Sequence, residues 1–198
     1  MSDAFLDLPA LRRDMRARRA ALSPALRIAA AQQLAARLHG VPGMPASGFV
    51  AGYWAVDGEI ALHAWQTSLP PRCTYCLPVL CDDQRLRFAP WRPGDTLVSN
   101  RFGIPEPDVD PVSLLEADAL AAVVMPLVAF DAAGHRVGMG GGWYDRSLAP
   151  VRDAATRPLL VGVGYEVQRV DALMPAPWDV PLDAVCTESA TYLRDATS

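Results

Sequence analysis

Three features of this sequence predict an α/β fold, a single three-layer α/β/α domain with a largely parallel central sheet. Ala121 to Val128 (AAVVMPLV) and Leu159 to Tyr165 (LLVGVGY) are continuous apolar runs, the pattern of strands covered on both faces. Strand-like runs alternate with helical ones along the chain, as parallel sheets require. A glycine cluster then joins a strand to a helix start, the kind of connection at which such sheets hold ligands.

Residues 8–22 and 24–39 read as two helices. The first carries Leu8, Leu11, Met15 and Leu22 at near-helical spacing, and the second opens on Ser23 as N-cap with Pro24 at N1. Gly40 to Gly43 ends it. Gly48 to Ala55 (GFVAGYWA) predicts a buried strand, followed after the Asp57-Gly58 turn by a short helix from Ile60 to Ser68. Cys73 to Leu80 predicts a strand, and Arg85 to Pro90 a second one paired near it. Asn100 to Pro111 reads as a proline-rich loop and Leu114 to Asp118 as a helical turn. The apolar run 121–128, a helix from Trp143 and the run 159–165 complete the pattern.

With 198 residues, 51% of them hydrophobic, the chain fits one domain, 1–198, whose helical pair 8–39 packs on the α/β core. A formal charge of −4 argues against a generic polyanion binder, so no nucleic-acid partner is expected. All 18 basic residues are arginine. That excludes a Walker-A loop, a protein-kinase phosphate clamp and a pyridoxal-phosphate Schiff base, each of which needs a lysine amine. The N-terminal stretch has no apolar signal core, and the longest apolar run, Ala119 to Phe130, falls short of the roughly 20 residues of a membrane helix. A cytoplasmic protein without a membrane partner is expected. Cys73 and Cys76 form a lone C-x-x-C with Cys81 and Cys186 elsewhere, which reads as buried thiols rather than a zinc site. His39, His63 and His135 lack metal-ligand or dyad spacing.

The segment Met125 to Leu148, MPLVAFDAAGHRVGMGGGWYDRSL, carries the chemistry. Its glycines let successive backbone N–H groups approach a phosphate, and the helix start adds partial positive charge. Arg136 stands where it can pair with phosphate oxygens, and Asp145 where it can hold Mg²⁺ against them. A structural turn and a helix-dipole acid explain the same residues equally simply. A dinucleotide fingerprint is excluded, because Trp143 occupies the place of its last glycine.

The pattern P-x-x-A-F-D-x-x-G-x-R-x-G-x-G-G-G-W-Y-D-R resembles the signature of the 5-formyltetrahydrofolate cyclo-ligase family. Further blocks resemble that family in the same order: the arginine-rich first helix with A-L-S-P (21–24), D-G-E-I (57–60), F-G-I-P-E-P (102–107) and D-V-P-L-D-A-V-C-T-E (179–188). The resemblance implies ATP- and Mg²⁺-dependent closure of 5-formyltetrahydrofolate to 5,10-methenyltetrahydrofolate, with ADP and phosphate released. It implies small-molecule partners, in a monomer or a dimer, and no covalent or acid/base residue of the enzyme.

Residue by residue, the resemblance places Arg12, Arg136, Gly138, Met139, Gly140, Gly141, Gly142, Trp143 and Tyr144 at ATP, and Asp145 and Asp183 at Mg²⁺. Trp54, Glu59, Tyr144 and Phe102 fall at the folate. Taken alone, Arg12 belongs equally to a solvated arginine face with Arg13, Arg16, Arg18 and Arg19, Glu59 to a helix start and Asp183 to a strand-end turn. The chain departs from the family at Leu8, where a lysine is usual, and at Met139, Trp143 and Trp178. Two other readings fit the residues: a non-catalytic nucleotide- or phosphosugar-binding module, and a related ligase for another formylated or carboxylated small molecule.

Overall fold

The computed structural model describes residues 7–194, so the predicted domain 1–198 extends outside the described residues at both ends. Helix α1 (Leu8–Ala20) is capped by Asp7, whose carboxylate accepts from Ala10 N at 3.0 Å, and α2 (Pro24–His39) by Ser23, which accepts from Leu26 N at 3.3 Å. Between them the Arg27 side chain donates to the carbonyls of Arg19, Ala20 and Leu22, fixing the corner.

Seven strands form the central sheet: β1 (Ser47–Ala51), β2 (Arg72–Leu80), β3 (Leu86–Pro90), β6 (Leu120–Pro126), β9 (Leu159–Val163), β10 (Ala184–Cys186) and β11 (Thr191–Leu193). Their order is β11-β10-β9-β6-β1-β2-β3. The five inner strands run parallel, and the edges β3 and β11 are antiparallel to their neighbours. Consecutive side chains feed opposite cores. Ala122, Val124, Val161 and Val163 join Leu34, Leu38 and Trp65 of α2 and α3 (His63–Thr67) on one face. Val123, Met125, Leu160 and Val185 join Leu148 and Val151, at and just after α4 (Trp143–Leu148), on the other. The three-layer expectation is met, and the reason is the double burial that the continuous apolar runs announced.

The helical pair does not pack as a unit. Helix α2 covers a face of the sheet, whereas α1 lies on the hairpin β7 (Ala129–Phe130) and β8 (Arg136–Val137), where Met15 packs with Val128, Ala129, Val137 and Leu173. Other boundaries also shift. The strand expected over 48–55 ends at Ala51, and the helix expected at Ile60 begins at His63. Both changes have one cause: Tyr53 Oη donates to the Ile60 carbonyl at 2.5 Å and Glu59 Oε2 accepts from Val56 N at 3.1 Å, which folds 52–62 into a closed loop.

The proline-rich stretch contains a hairpin of β4 (Leu97–Ser99) and β5 (Pro105–Pro107), with Glu106 accepting from Leu80 N and Asn100 Nδ2, both at 3.1 Å. In place of a helical turn over 114–118, single turns of 3₁₀ helix occupy Pro111–Ser113 and Ala117–Ala119, because Leu115 bridges to Phe88. The short hairpin β7–β8 and the strands β10 and β11 have too few residues to show a period. Cys76 and Cys186 are buried free thiols, and the described residues contain no group of three or more His, Cys, Asp or Glu able to hold a metal ion. Among them no helix is long and apolar enough to cross a membrane.

Leu34, fully buried between α2 and the sheet, tests this packing. Leu34→Ala is expected to lower unfolding free energy by about 2–5 kcal/mol, measured as a lower urea midpoint at unchanged slope.

Candidate active site

Strand order reverses at β1: the chain moves to β2 on one side, while β6 lies on the other. The loops leaving β1 and β6 therefore part at the strands' carboxyl ends, the place where such sheets form a ligand crevice. Residues 52–59 leave from β1, and the β7–β8 hairpin with its glycine loop from β6. Gly52 admits the close approach of Tyr75, whose Oη would lie 2.1 Å from any Cβ there.

Asp131 holds the root of the hairpin. One carboxylate oxygen accepts from Ala133 N and His135 N, each at 3.0 Å, and the other from Leu173 N at 2.9 Å and His135 Nδ1 at 2.8 Å. Burial alone would raise this carboxyl, but the His135 contact and the backbone donors outweigh it and hold it below the usual range. His135 is thereby a turn residue, as its lack of ligand spacing suggested. On the other side of the turn after β6, buried Gln168 donates to the Leu127 and Val128 carbonyls at 2.7 and 2.9 Å.

Past this brace the glycine loop is exposed, with Gly140 at φ +100° and Gly142 at φ +64°. Those values belong to the left-handed region that glycine occupies without strain. Helix α1 reaches the loop directly: Arg12 Nε donates to the Gly138 carbonyl at 2.9 Å, and Arg16 Nη2 lies 3.0 Å from Met139 Sδ. The Arg12 guanidinium carbon comes within 3.5 Å of a Cβ built on Gly140. Arg12 thus leaves the solvated face for the loop, while Leu8 stands exposed one turn earlier. Of the remaining arginines in that face, Arg18 pairs with Asp14 at 2.9 Å, and Arg19 is buried, against expectation.

Arg136 spans to Asp145 Oδ1 and to the Val180 carbonyl, and the same carboxylate oxygen accepts from Val180 N at 3.1 Å. Hairpin, α4 and the segment around 180 are locked together by this one pair. Among the described residues, the hydrogen bonds to Asp145 all fall on Oδ1. Asp183 is placed differently. Arg157 meets it with both Nη groups at 2.8 and 2.6 Å, and Leu160 N donates at 2.8 Å. Burial would raise the Asp183 carboxyl, and the Arg157 fork more than offsets this, leaving it below the usual value. Both oxygens of Asp183 are thus taken, by the Arg157 fork and the Leu160 N–H at the strand end.

Glu59 lies behind the loop leaving β1. Burial pushes its carboxyl up to about 7, against the opposing pull of the Val56 N–H and of Arg19. Tyr53, Tyr75 and Tyr144 share this interior, and burial raises each phenol, with the Glu59 charge next in importance for Tyr53 and Tyr144. The Glu59 charge thus reaches Tyr144, which stands at the start of α4 on the other side. Trp54 is 38% exposed and meets Trp91 edge-on, with ring centroids 5.9 Å apart. Phe102 contacts Trp143 edge-on at 6.1 Å, and the Arg101 guanidinium lies 5.3 and 5.1 Å from the two rings. Phe102 thus belongs to the glycine-loop side of the site. Tyr53, Tyr75, Arg19 and Arg101 were not singled out as site residues from the sequence, since an aromatic or a basic residue inside an apolar or arginine-rich run gives no distinguishing signal.

The family model for the 5-formyltetrahydrofolate cyclo-ligase family matches residues 7–188. The 5-formyltetrahydrofolate cyclo-ligase of Escherichia coli K12 is 36% identical over 185 residues, covering 90% of this chain and 98% of that protein. The Haemophilus influenzae enzyme of the same name is 39% identical over 136 residues, 67% of this chain and 72% of that protein. In structure, the 5,10-methenyltetrahydrofolate synthetase of Aquifex aeolicus superimposes with a TM-score of 0.79 at 28% identity, covering 96% of this chain and 95% of that one. The synthetase of Mycoplasma pneumoniae, at 21% identity, shares the fold with a TM-score of 0.71 over 92% of this chain and 99% of that one. Matched over most of its length by the family model and by a relative of the same extent, the chain belongs to the 5-formyltetrahydrofolate cyclo-ligase family.

Proposed function

We propose that this enzyme closes 5-formyltetrahydrofolate to 5,10-methenyltetrahydrofolate at the expense of ATP. The observation that carries this reading is the meeting of the α1 arginines with the glycine loop beside the β1/β6 switch point, where the Glu59 charge also reaches Tyr144. The backbone N–H groups of 138–142 donate to no acceptor among the described residues, and with Arg12 they suit a polyphosphate. Glu59 suits the amino and ring N–H donors of a pterin, and Trp54, Tyr144 and Phe102 offer aromatic surface to it.

The formyl oxygen attacks the γ-phosphorus and ADP leaves. N10 then attacks the activated formyl carbon, loses its proton, and phosphate departs with the formyl oxygen. No nucleophile of the enzyme is needed, and the chain's part is to position the two substrates and neutralise charge. Asp145 is the residue suited to hold Mg²⁺ at the phosphates through Oδ2, with Asp183 joining only if Arg157 releases it. When bound, the ion would offset the charge of the polyphosphate. We read 1–198 as one domain acting in the cytoplasm on small molecules.

The test is near-ultraviolet absorbance of purified protein with (6S)-5-formyltetrahydrofolate. Growth of the methenyl chromophore that requires both ATP and Mg²⁺ is expected, and Asp145→Asn is expected to cut kcat by about 100-fold or more. ATP binding without the chromophore would favour a binding module.

A carboxyl titrating near 7 gives a signed pH dependence. Glu59 offers both oxygens to the two pterin donors only when ionised, and below about 7 in the free protein it is protonated, so folate KM should fall as pH rises through that value. In Glu59→Gln the dependence should vanish and folate KM should rise, with ATP KM little changed.

The Asp183 carboxyl is depressed in the fold, so its contribution to stability is present above the unfolded value of 3.8 and is lost as pH falls through the folded one. Asp183→Asn should therefore lower the melting temperature at neutral pH, with or without Mg²⁺, and weaken the loss on acidification. An unchanged melting temperature combined with lost turnover would return Asp183 to the metal.

A further inference from the structure

Arg19 ends the arginine series of α1, and unlike the others it is inside the protein, with 1% of its surface exposed. Its Nε and Nη2 are buried and have no hydrogen-bond partner. These two nitrogens lie on one edge of the guanidinium, the fork that meets an oxygen acceptor side-on. The backbone beneath is immobilised, since the Arg19 carbonyl accepts from Arg27 Nη2 at 3.1 Å and the flanking carbonyls of Ala20 and Leu22 are held by the same side chain at 3.0 Å. Around the guanidinium are one acid, Glu59, and the phenol of Tyr165, both within its electrostatic reach. A desolvated cationic fork lacking an acceptor is unfavourable in the free protein. It suits a ligand that brings the acceptor, because the guanidinium is already stripped of water before binding.

A pterin edge carries an amino group and a ring N–H, both donors, next to a carbonyl, an acceptor. A carboxylate and a guanidinium together satisfy all three, and Glu59 alone satisfies only the donors. Resting on the folate reading above, we propose that Arg19 is a substrate-binding residue whose Nε–Nη2 fork donates to the pterin carbonyl oxygen beside Glu59. The free carboxylates of the substrate's glutamate are the other oxygen acceptors such a fork would take, and the experiment separates the two.

Wild-type turnover is measured first; its absence overturns the reaction reading and this inference with it. Arg19→Met and Arg19→Lys are then compared for 5-formyltetrahydrofolate affinity by titration, ATP KM, and melting temperature without ligand. Arg19→Met is expected to weaken folate binding about 10- to 100-fold while ATP KM changes less than about twofold. Its ligand-free melting temperature should be equal or higher, because an unpaired buried charge is gone. Arg19→Lys, which keeps the charge and loses the fork, should bind folate with intermediate affinity, and it carries the test if the Met variant does not fold. Unchanged folate affinity in the folded variants, with the wild type active, overturns the inference alone. So does a lowered ligand-free melting temperature with intact folate affinity, which would make Arg19 structural. The loss is expected to persist with 5-formyltetrahydropteroate, which lacks the glutamate; its disappearance would assign the fork to the glutamate carboxylates and overturn the pterin contact.

Discussion

Double burial of five parallel strands is the constraint on which the rest of this structure depends. Parallel strands need crossover connections, which here carry α3 on one face and α4 on the other, while α2, ahead of β1, adds to the cover of the first face. Because β1 sends its connection to β2 while β6 lies at its opposite side, the connections leaving the two strands part at their carboxyl ends. The crevice is a by-product of that topology. Side chains needed for chemistry do not have to be carved out of the core, since they stand on loops that the sheet already separates.

Electrostatic work in a chain without lysine falls to arginine, and the fold sorts its arginines by what each fork meets. Arg27 takes three backbone carbonyls, Arg136 a carboxylate and a carbonyl, Arg157 a carboxylate in bidentate fashion, and Arg12 a loop carbonyl. Planar geometry makes such contacts directional in a way that an ammonium would not. The same sorting separates two aspartates that the family resemblance put together. Among the described residues, donors meet one oxygen of Asp145 and both oxygens of Asp183.

The parallel core was legible because runs such as AAVVMPLV have no polar face to offer water, and α2 because Ser23-Pro24 supplies both a cap and a fixed φ. Strand β10 and the β7–β8 hairpin were not, since two or three residues contain no period. The early end of β1 was hidden for another reason: it depends on the Tyr53 hydroxyl reaching the Ile60 carbonyl, a contact across a loop. At the site, the glycine loop and Glu59 were legible through their motifs. The burial of Arg19 was not, because a 3.6-residue period places Arg16 and Arg19 nearly on one face, and only the packing of α1 on the hairpin separates them.

The four hydrogen bonds that Asp131 accepts reach further than the turn they close. They fix the chain up to the hairpin, so the backbone freedom left beyond it is concentrated in 138–142, four of whose five residues are glycine. Glycine gives up more backbone freedom than any other residue. If the loop grips a ligand as proposed, the ordering entropy opposing that binding would fall on this one short segment.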